Sequence, residues 1–136
     1  MLLRALRSTG VEEILARFKP KEIFCTHCKK IIKRHEEKES DVAMSCKLLE
    51  VFYNDECDTV VLITGDTDIA PAVRTALKLF PSKNIIFGFP YKRKNKELAT
   101  LTGKYFKISK EQIVRHQFPS VLTTSSGEKL VKPSNW

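Results

Sequence analysis

The sequence lacks any apolar run long enough to cross a membrane. Its Leu-rich start, from Met1 to Leu6, is interrupted by Arg4 and followed by Arg7, whereas a membrane-spanning helix needs roughly 20 consecutive apolar residues. It also lacks an internal repeat and a low-complexity tract. These absences exclude a spanning segment and a repeat array, so we expect one ordinary domain with no membrane partner, located in the cytoplasm.

Cysteine is scarce as well, which disfavours a fold held together by disulfides. Cys25, Cys28, Cys46 and Cys57 could form two disulfides only in an oxidising compartment, and no segment of the sequence directs the chain there. We therefore expect reduced thiols or a metal site. Cys25-Thr-His-Cys28 has the spacing of half a zinc site, and His35 is a candidate third ligand. Because a structural zinc site needs four ligands, a reduced surface pair is the alternative interpretation.

The charge of the chain is predominantly of one sign. Over 136 residues, 24 Lys and Arg stand against 16 Asp and Glu, a formal net charge of +8. This excess favours a salt-sensitive encounter with a polyanion, although net charge alone does not identify the partner. A chain of this length buries roughly two-thirds of its unfolded surface, which is enough for one hydrophobic core.

Strand-like runs alternate with helical patterns in most of the chain. Residues 59–64 (TVVLIT) are apolar and β-branched, the pattern of a strand buried on both faces. Pro71 suits the first turn of a helix, and Gly103 suits the end of one. The spacing predicts βαβ units and therefore an α/β fold, a three-layer α/β/α sandwich with a mainly parallel central sheet. The predicted elements are helix 41–53 with Ser40 as its cap, strand 59–64, helix 72–80, strand 84–89, helix 95–104 and strand 105–108.

The two ends of the chain are patterned less clearly. Residues 11–18 and 22–25 are candidate strands interrupted by Lys19-Pro20, although the first of them could equally be helical by its pattern. After Pro119 the composition shifts to Ser, Thr, Gly and Lys. We therefore predict a domain over residues 1–118 and an extended C-terminal tail over residues 119–136, with Trp136 as an aromatic anchor.

An acidic turn follows the best strand. Asp66 and Asp68 come directly after it, at the edge where parallel sheets bind ligands, and Asp41 lies in the first turn of the predicted helix upstream. Three carboxylates at one point repel each other by several kcal/mol at intermediate dielectric (roughly 4 kcal/mol per pair at 4 Å), so they would recruit a hard cation such as Mg²⁺ or Mn²⁺. The alternative interpretation is ordinary turn and capping chemistry, which Asp also favours.

A basic loop should emerge at the same edge of the sheet. It follows the strand predicted over residues 84–89 and holds Tyr91, Lys92, Arg93, Lys94 and Lys96. Its cations could hold the phosphates that flank a scissile phosphodiester, and Tyr91 could stack on an unpaired base. The alternative is a solvated loop whose charges meet only water.

These motifs occur together in an order that resembles the NYN domain family of PIN-like nucleases. The resemblance implies a PIN-like, Rossmann-like fold in which Asp41, Asp66 and Asp68 coordinate the divalent metal, while Thr64 and Thr67 orient these carboxylates. It also implies RNA as the substrate. The segments that carry the resemblance are residues 37–45 (EKESDVAMS), 48–49 (LL), 61–71 (VLITGDTDIAP), 89–90 (FP), 96–99 (KELA), 117–119 (QFP) and 132–136 (KPSNW).

One departure from the family pattern concerns its start. Family members usually begin with a strand that ends in an Asp and is followed by an Asn, and this sequence has neither. We therefore expect an N-terminally incomplete domain, with a second copy in a homodimer as a candidate strand donor. The leading hypothesis is an Mg²⁺- or Mn²⁺-dependent ribonuclease acting on single-stranded or structured RNA. Its rivals are a catalytically inactive module that binds RNA or protein and, third, a small-molecule phosphatase.

Overall fold

A computed structural model describes residues 1–134 of the protein. The chain divides into two units, one formed by residues 15–108 and the other by residues 1–14 together with residues from 109 onward. The predicted domain boundary at residue 118 stays a prediction. In chain order the elements are α1 (Leu2–Ser8), β1 (Arg17–Phe24), β2 (Ile31–Lys38), α2 (Ser40–Tyr53), β3 (Thr59–Leu62), a 3-10 turn (Thr67–Ile69), α3 (Ala70–Leu79), β4 (Asn84–Phe89), α4 (Lys96–Thr102), β5 (Tyr105–Lys107), α5 (Lys110–Arg115), β6 (Val121–Thr123) and β7 (Lys129–Val131).

A three-stranded parallel sheet organises the larger unit. Its strand order is β3-β4-β5, and Phe87 of β4 lies opposite Leu62 on one side and Tyr105 on the other. The predicted βαβ units and the parallel sheet are therefore confirmed. β3 ends at Leu62, two residues earlier than the pattern predicts, and Ile63 and Thr64 already belong to the loop. The three-layer arrangement stays a prediction.

The hydrophobic core of this unit is centred on β4. Ile85, Phe87 and Phe89 are buried, and the rings of Phe87 and Phe89 lie nearly parallel with their centroids 5.8 Å apart. Leu48 and Phe52 of α2, together with side chains of α3 and α4, complete the cluster. Because β4 lies between two strands and is buried over most of its length, the loop that follows it has a firmly anchored starting point.

The helix ends show which sequence signals determine them. Pro71 lies in the first turn of α3, and Gly103 ends α4 with a φ of 66°, a left-handed conformation that glycine adopts without strain. The prediction that Ser40 caps α2 is wrong. The capping position is Glu39, at a φ of 80° and without a side-chain hydrogen bond, and Ser40 is already the first helical residue.

A β-hairpin precedes α2. β1 and β2 pair antiparallel over eight residues each, and their side chains are almost all exposed. The expected interruption at Lys19-Pro20 is wrong, since β1 runs through it with Pro20 opposite His35. A two-stranded ribbon has only edge strands, and an edge strand tolerates the missing N–H of proline. Residues 11–16, which the pattern assigned to a strand or a helix, form neither.

The smaller unit contains α1, α5 and a second hairpin. α5 begins with a capping box in which Ser109 and Gln112 bind each other's backbone amides. β6 and β7 pair antiparallel around a turn at Gly127, so residues 121–131 are a hairpin rather than the expected extended tail. Asn135 and Trp136, including the proposed aromatic anchor, lie outside the described residues. Within residues 1–134 no helix has the length and apolar character that crossing a membrane requires.

Candidate functional site

The acidic turn begins where β3 ends, and local hydrogen bonds define its conformation. Asp66 is extended, and its Oδ1 atom accepts a hydrogen bond from the Asp68 amide at 3.1 Å, which caps the 3-10 turn. The Thr64 hydroxyl accepts a hydrogen bond from the Asp66 amide at 3.0 Å. Thr64 therefore supports the backbone of Asp66, whereas the resemblance implies that it orients a carboxylate.

The basic loop begins where β4 ends and turns back at once. The Arg93 amide donates to the Pro90 carbonyl at 2.9 Å, and Lys92 has a φ of 59° at the third position of this turn. A non-glycine residue in this left-handed conformation is uncommon and costs about 1 kcal/mol or more. The turn directs Arg93 toward the neighbouring strand end.

Two contacts join the acidic turn to the basic loop. At Gly65 the backbones approach so closely that an added Cβ would lie 2.5 Å from the Arg93 carbonyl oxygen. The Asn95 side-chain amide donates to the Gly65 carbonyl at 3.2 Å, and its Oδ1 atom accepts from the amides of Glu97 and Leu98 at the start of α4. Sequence reasoning missed Asn95, although an Asn directly before a helix is a recognised capping signal.

The two loops form an open cleft at the carboxyl ends of β3 and β4. The acidic Asp66 and the basic Arg93 line the same cleft, the hydroxyl-bearing Thr64 and Thr67 stand beside Asp66, and all four are at least partly exposed. Parallel sheets bind ligands at this edge. The residues that line the cleft are Ile63, Thr64, Gly65, Asp66, Thr67, Pro90 and Arg93.

The other predicted RNA-binding residues differ in the contacts that their side chains make. The Lys94 ammonium donates to the Tyr105 hydroxyl at 2.8 Å and lies 4.4 Å from the centre of that ring. The hydrogen bond from Lys94 is the main cause of a lowered pKa of Tyr105. The Lys92 ammonium lies 5.3 Å from the Tyr91 ring centre. Lys96 is exposed in the first turn of α4.

The structure does not bring the three predicted carboxylates together as one group. Asp41 is exposed in the first turn of α2, which contacts the 3-10 turn as well as α3. Asp68 is exposed within the 3-10 turn, and only Asp66 is among the cleft-lining residues. In the part of the chain that the structure describes, no three His, Cys, Asp or Glu side chains form a group that could hold a metal.

The donor atoms of the cleft are compatible with Mg²⁺ or Mn²⁺. Mg²⁺ prefers oxygen ligands, keeps several waters, and is usually bound through one or two carboxylates and the phosphates of a substrate. Asp66 supplies a carboxylate in the cleft, and Thr64 and Thr67 supply hydroxyl oxygens beside it. The residues present therefore fit a hard cation bound jointly by the protein and a phosphate-bearing ligand.

The predicted zinc triad is not assembled either. Cys25 and Cys28 are free thiols in the turn between β1 and β2, whereas His35 lies opposite Pro20, further along the hairpin. His35 as a third ligand is therefore wrong for this structure, because extended pairing between β1 and β2 carries it away from the turn. The pKa of Cys25 is lowered, first by the amide and thiol of Cys28 and then by the amide of His27.

The fold and the cleft define an α/β domain with a polar site at the carboxyl ends of parallel strands, a class to which many phosphate-binding enzymes belong. The family model for the NYN domain matches residues 2–109, most of the chain. The protein therefore belongs to the NYN domain family, which is nuclease-like. Comparisons with curated proteins and with solved structures found no match.

Proposed function

We propose that the protein is a divalent-metal-dependent ribonuclease that hydrolyses RNA phosphodiester bonds at the cleft between β3 and β4. The observation that carries the proposal is the position of Asp66 and Arg93. They bring an anionic cation ligand and a cationic phosphate ligand to one cleft, in a chain that belongs to a nuclease-like family.

Asp66, which lines the cleft, is the proposed principal ligand of Mg²⁺ or Mn²⁺. Asp68 and Asp41, which the structure does not group with Asp66, are proposed as further acidic ligands. When bound, such a cation supplies Lewis-acid polarisation of the phosphoryl group and a more acidic water. The hydrogen bonds of the turn, from the Asp66 amide to Thr64 and from the Asp68 amide to Asp66, fix the direction of the Asp66 side chain. Thr67 adds a hydroxyl at the edge of the cleft.

Arg93 is the proposed phosphate ligand. A guanidinium is permanently charged and can bind two phosphate oxygens at once, which suits a residue that must position a backbone. Lys92, Lys94 and Lys96 extend the positive surface along the loop, and Tyr91 offers an exposed ring for base stacking.

The first rival is a catalytically inactive NYN-like module that binds RNA or a protein partner. One observation favours it: within residues 1–134 the acidic side chains do not form a three-ligand group. A site with fewer ligands would hold a cation more weakly while leaving the basic loop intact.

Two finer proposals concern the setting of this site. We propose a three-layer, PIN-like sandwich, because β4 is buried over most of its length, as expected of a strand with helices on both faces. We propose a cytoplasmic location, because all four cysteines are free thiols, which a reducing compartment maintains.

The proposal is tested with the full chain and labelled single-stranded and hairpin RNAs. Cleavage should require Mn²⁺ or Mg²⁺, stop in EDTA, and be lost in Asp66→Asn. Asp58→Asn is the matched control: it also removes a carboxylate next to β3, but at the amino end of the strand, where Asp58 pairs with Lys83 and not with the cleft. RNA binding without cleavage by the unmodified chain would establish the inactive module instead. Turnover of a generic phosphate monoester with the RNA intact would establish the phosphatase.

A further inference from the structure

The turn of the β1–β2 hairpin holds two cysteines in a tightly defined backbone. The Cys25 amide donates to the Lys30 carbonyl at 2.9 Å, and the Lys29 amide donates to the Cys25 carbonyl at 2.8 Å. Lys29 has a φ of 58°, which lets the chain reverse directly after Cys28. Both cysteines therefore project from one short turn at the end of an exposed ribbon.

The surroundings of Cys25 suit a metal-binding thiolate. The amide and thiol of Cys28, and then the amide of His27, lower the pKa of the Cys25 thiol. Amide donors that face a sulfur favour the thiolate, which is the form that binds metals. The two sulfurs of such a turn can occupy two corners of a tetrahedral zinc site, in which each Zn–S bond is about 2.3 Å long.

One chain supplies only half of such a site. In the described residues, no third His, Cys, Asp or Glu joins the pair to form a metal-binding group. Structural zinc is almost always four-coordinate. The remaining two ligands must therefore come from elsewhere.

Apolar side chains beside the turn are also exposed to solvent in the described structure. Phe24 and Ile31 face each other across the strands and are 56% and 62% exposed, and the neighbouring pair Ile23 and Ile32, on the opposite face of the ribbon, is 39% and 38% exposed. An isolated two-stranded hairpin is marginally stable at best in water, because it has little to pack against. The exposed Phe24–Ile31 pair next to a half-complete ligand set points to one partner that satisfies both.

The positive charge of the hairpin limits which partner can bind it. Residues 17–38 contain eight Lys and Arg and three Glu, a net charge of +5, so two such hairpins repel each other if only apolar contact joins them. One zinc ion with four thiolates carries a charge of −2. Lys29 and Lys30 directly follow Cys28, so a zinc tetrathiolate would offset the repulsion at the place where two turns meet.

We propose that two copies of this chain join through their β1–β2 turns and share one zinc ion, held by Cys25 and Cys28 of each copy. The Phe24–Ile31 pair beside each turn becomes buried on association. This inference is independent of the proposed nuclease activity, since it concerns only the hairpin and its readouts are metal content and molecular mass.

The test uses the full chain, purified under reducing conditions and loaded with Zn²⁺. We expect about 0.5 zinc per chain, a dimer by light scattering, and conversion to a monomer by a strong chelator. Cys25→Ser and Cys28→Ser, loaded in the same way, should each bind no zinc and stay monomeric. Cys46→Ser, which removes an exposed thiol from α2, is the matched control and should behave as the unmodified chain.

Cobalt substitution of the unmodified chain provides a readout that needs no variant. The proposal predicts the absorption of a tetrahedral Co²⁺ with four thiolate ligands, at one Co²⁺ per two chains. A monomer with one zinc per chain would overturn the sharing of the site. A chain that binds no zinc, or a dimer that persists both in chelator and in Cys25→Ser, would overturn the proposal as a whole.

Discussion

The side-chain amide of Asn95 donates a hydrogen bond to the carbonyl of Gly65, 30 residues earlier in the chain and 3.2 Å away. Gly65 belongs to the acidic turn after β3, and Asn95 ends the basic loop after β4. The same Asn95 side chain accepts hydrogen bonds from the first amides of α4. One residue therefore holds the acidic turn, the basic loop and the helix start in a fixed arrangement.

Replacing Asn95 by Asp separates its two roles. An Asp side chain keeps the acceptor that caps α4 but has no N–H for the Gly65 carbonyl, and it places a carboxylate against that oxygen. We expect a loss of about 1–2 kcal/mol in the free energy of unfolding, measured by urea denaturation, together with slower RNA cleavage. Asn54→Ala, which removes only an exposed contact to Glu56, should change stability by less than about 0.5 kcal/mol. Equal stability of Asn95→Asp and the unmodified chain would contradict the tether.

Gly65→Ala tests the close approach of the two loops. Its Cβ would meet the Arg93 carbonyl oxygen at 2.5 Å, so the loops must separate, at a cost of about 1–3 kcal/mol. Gly103→Ala is the control. The new side chain strains the backbone, because Gly103 has a φ of 66°, but its Cβ would meet no atom within 4 Å. Both variants should lower the melting temperature, whereas only Gly65→Ala should lower RNA cleavage. Full cleavage activity in Gly65→Ala would show that the arrangement of the cleft is unimportant.

Much of the parallel sheet could be predicted from local pattern. β4 has the predicted bounds of residues 84–89, because a strand in the middle of a sheet is apolar along its length and is flanked by clear stop signals. α4 ends at Gly103 as predicted, since a left-handed residue at a helix end is a strong glycine signal. The order of these elements sufficed to place the acidic turn and the basic loop at one edge.

Features that depend on contacts between distant residues could not be predicted in the same way. The pairing of Pro20 with His35 makes β1 continuous, and no local pattern reports that pairing. Ser40 is a good capping residue by type, but the left-handed Glu39 before it takes that position. The placement of Asp41 relative to Asp66 depends on how α2 packs, and a sequence pattern does not specify distances between side chains.

The basic loop offers a comparison between two neighbouring cations. Arg93 lines the cleft, whereas the Lys94 ammonium is held at the Tyr105 hydroxyl. Arg93→Ala should weaken RNA binding severalfold and reduce the slope of log K against log salt by about 0.7, the value for one phosphate contact on a single strand. Lys94→Ala should change both quantities less. Equal effects, measured by fluorescence anisotropy at several salt concentrations, would contradict the assignment of Arg93.

A second prediction on charge concerns stability and pH. The Lys83 side chain is only 10% exposed and bridges Asp55 and Asp58. The hydrogen bond that Lys83 donates to Asp55 lowers the pKa of Asp55, and the hydrogen bonds that Lys83 donates to Asp55 and then to Asp58 raise the pKa of Lys83. The Asp55 contribution is therefore present above about pH 4 and is lost as the pH falls below it, whereas the Lys83 contribution is lost only above about pH 10.

Lys83→Met removes this bridge while keeping most of the side-chain stem. Its melting temperature should lie below that of the unmodified chain by a constant amount between about pH 5 and 9, and the gap should narrow below about pH 4. Lys78→Met, at an exposed position in the last turn of α3, should show no such gap. A gap that persists unchanged at about pH 3 would mean that lost packing, and not the ion pair, causes the destabilisation.

The most direct measurement is the affinity of the full chain for Mn²⁺. It is determined by calorimetric titration of the unmodified protein, Asp66→Asn and Asp58→Asn. Loss of one unit charge next to a divalent cation removes about 8 kcal/mol of Coulomb attraction at 4 Å and intermediate dielectric, so Asp66→Asn should bind Mn²⁺ at least about tenfold more weakly. Asp58→Asn should bind as the unmodified chain does. Undiminished Mn²⁺ binding by Asp66→Asn would contradict a metal site at this cleft.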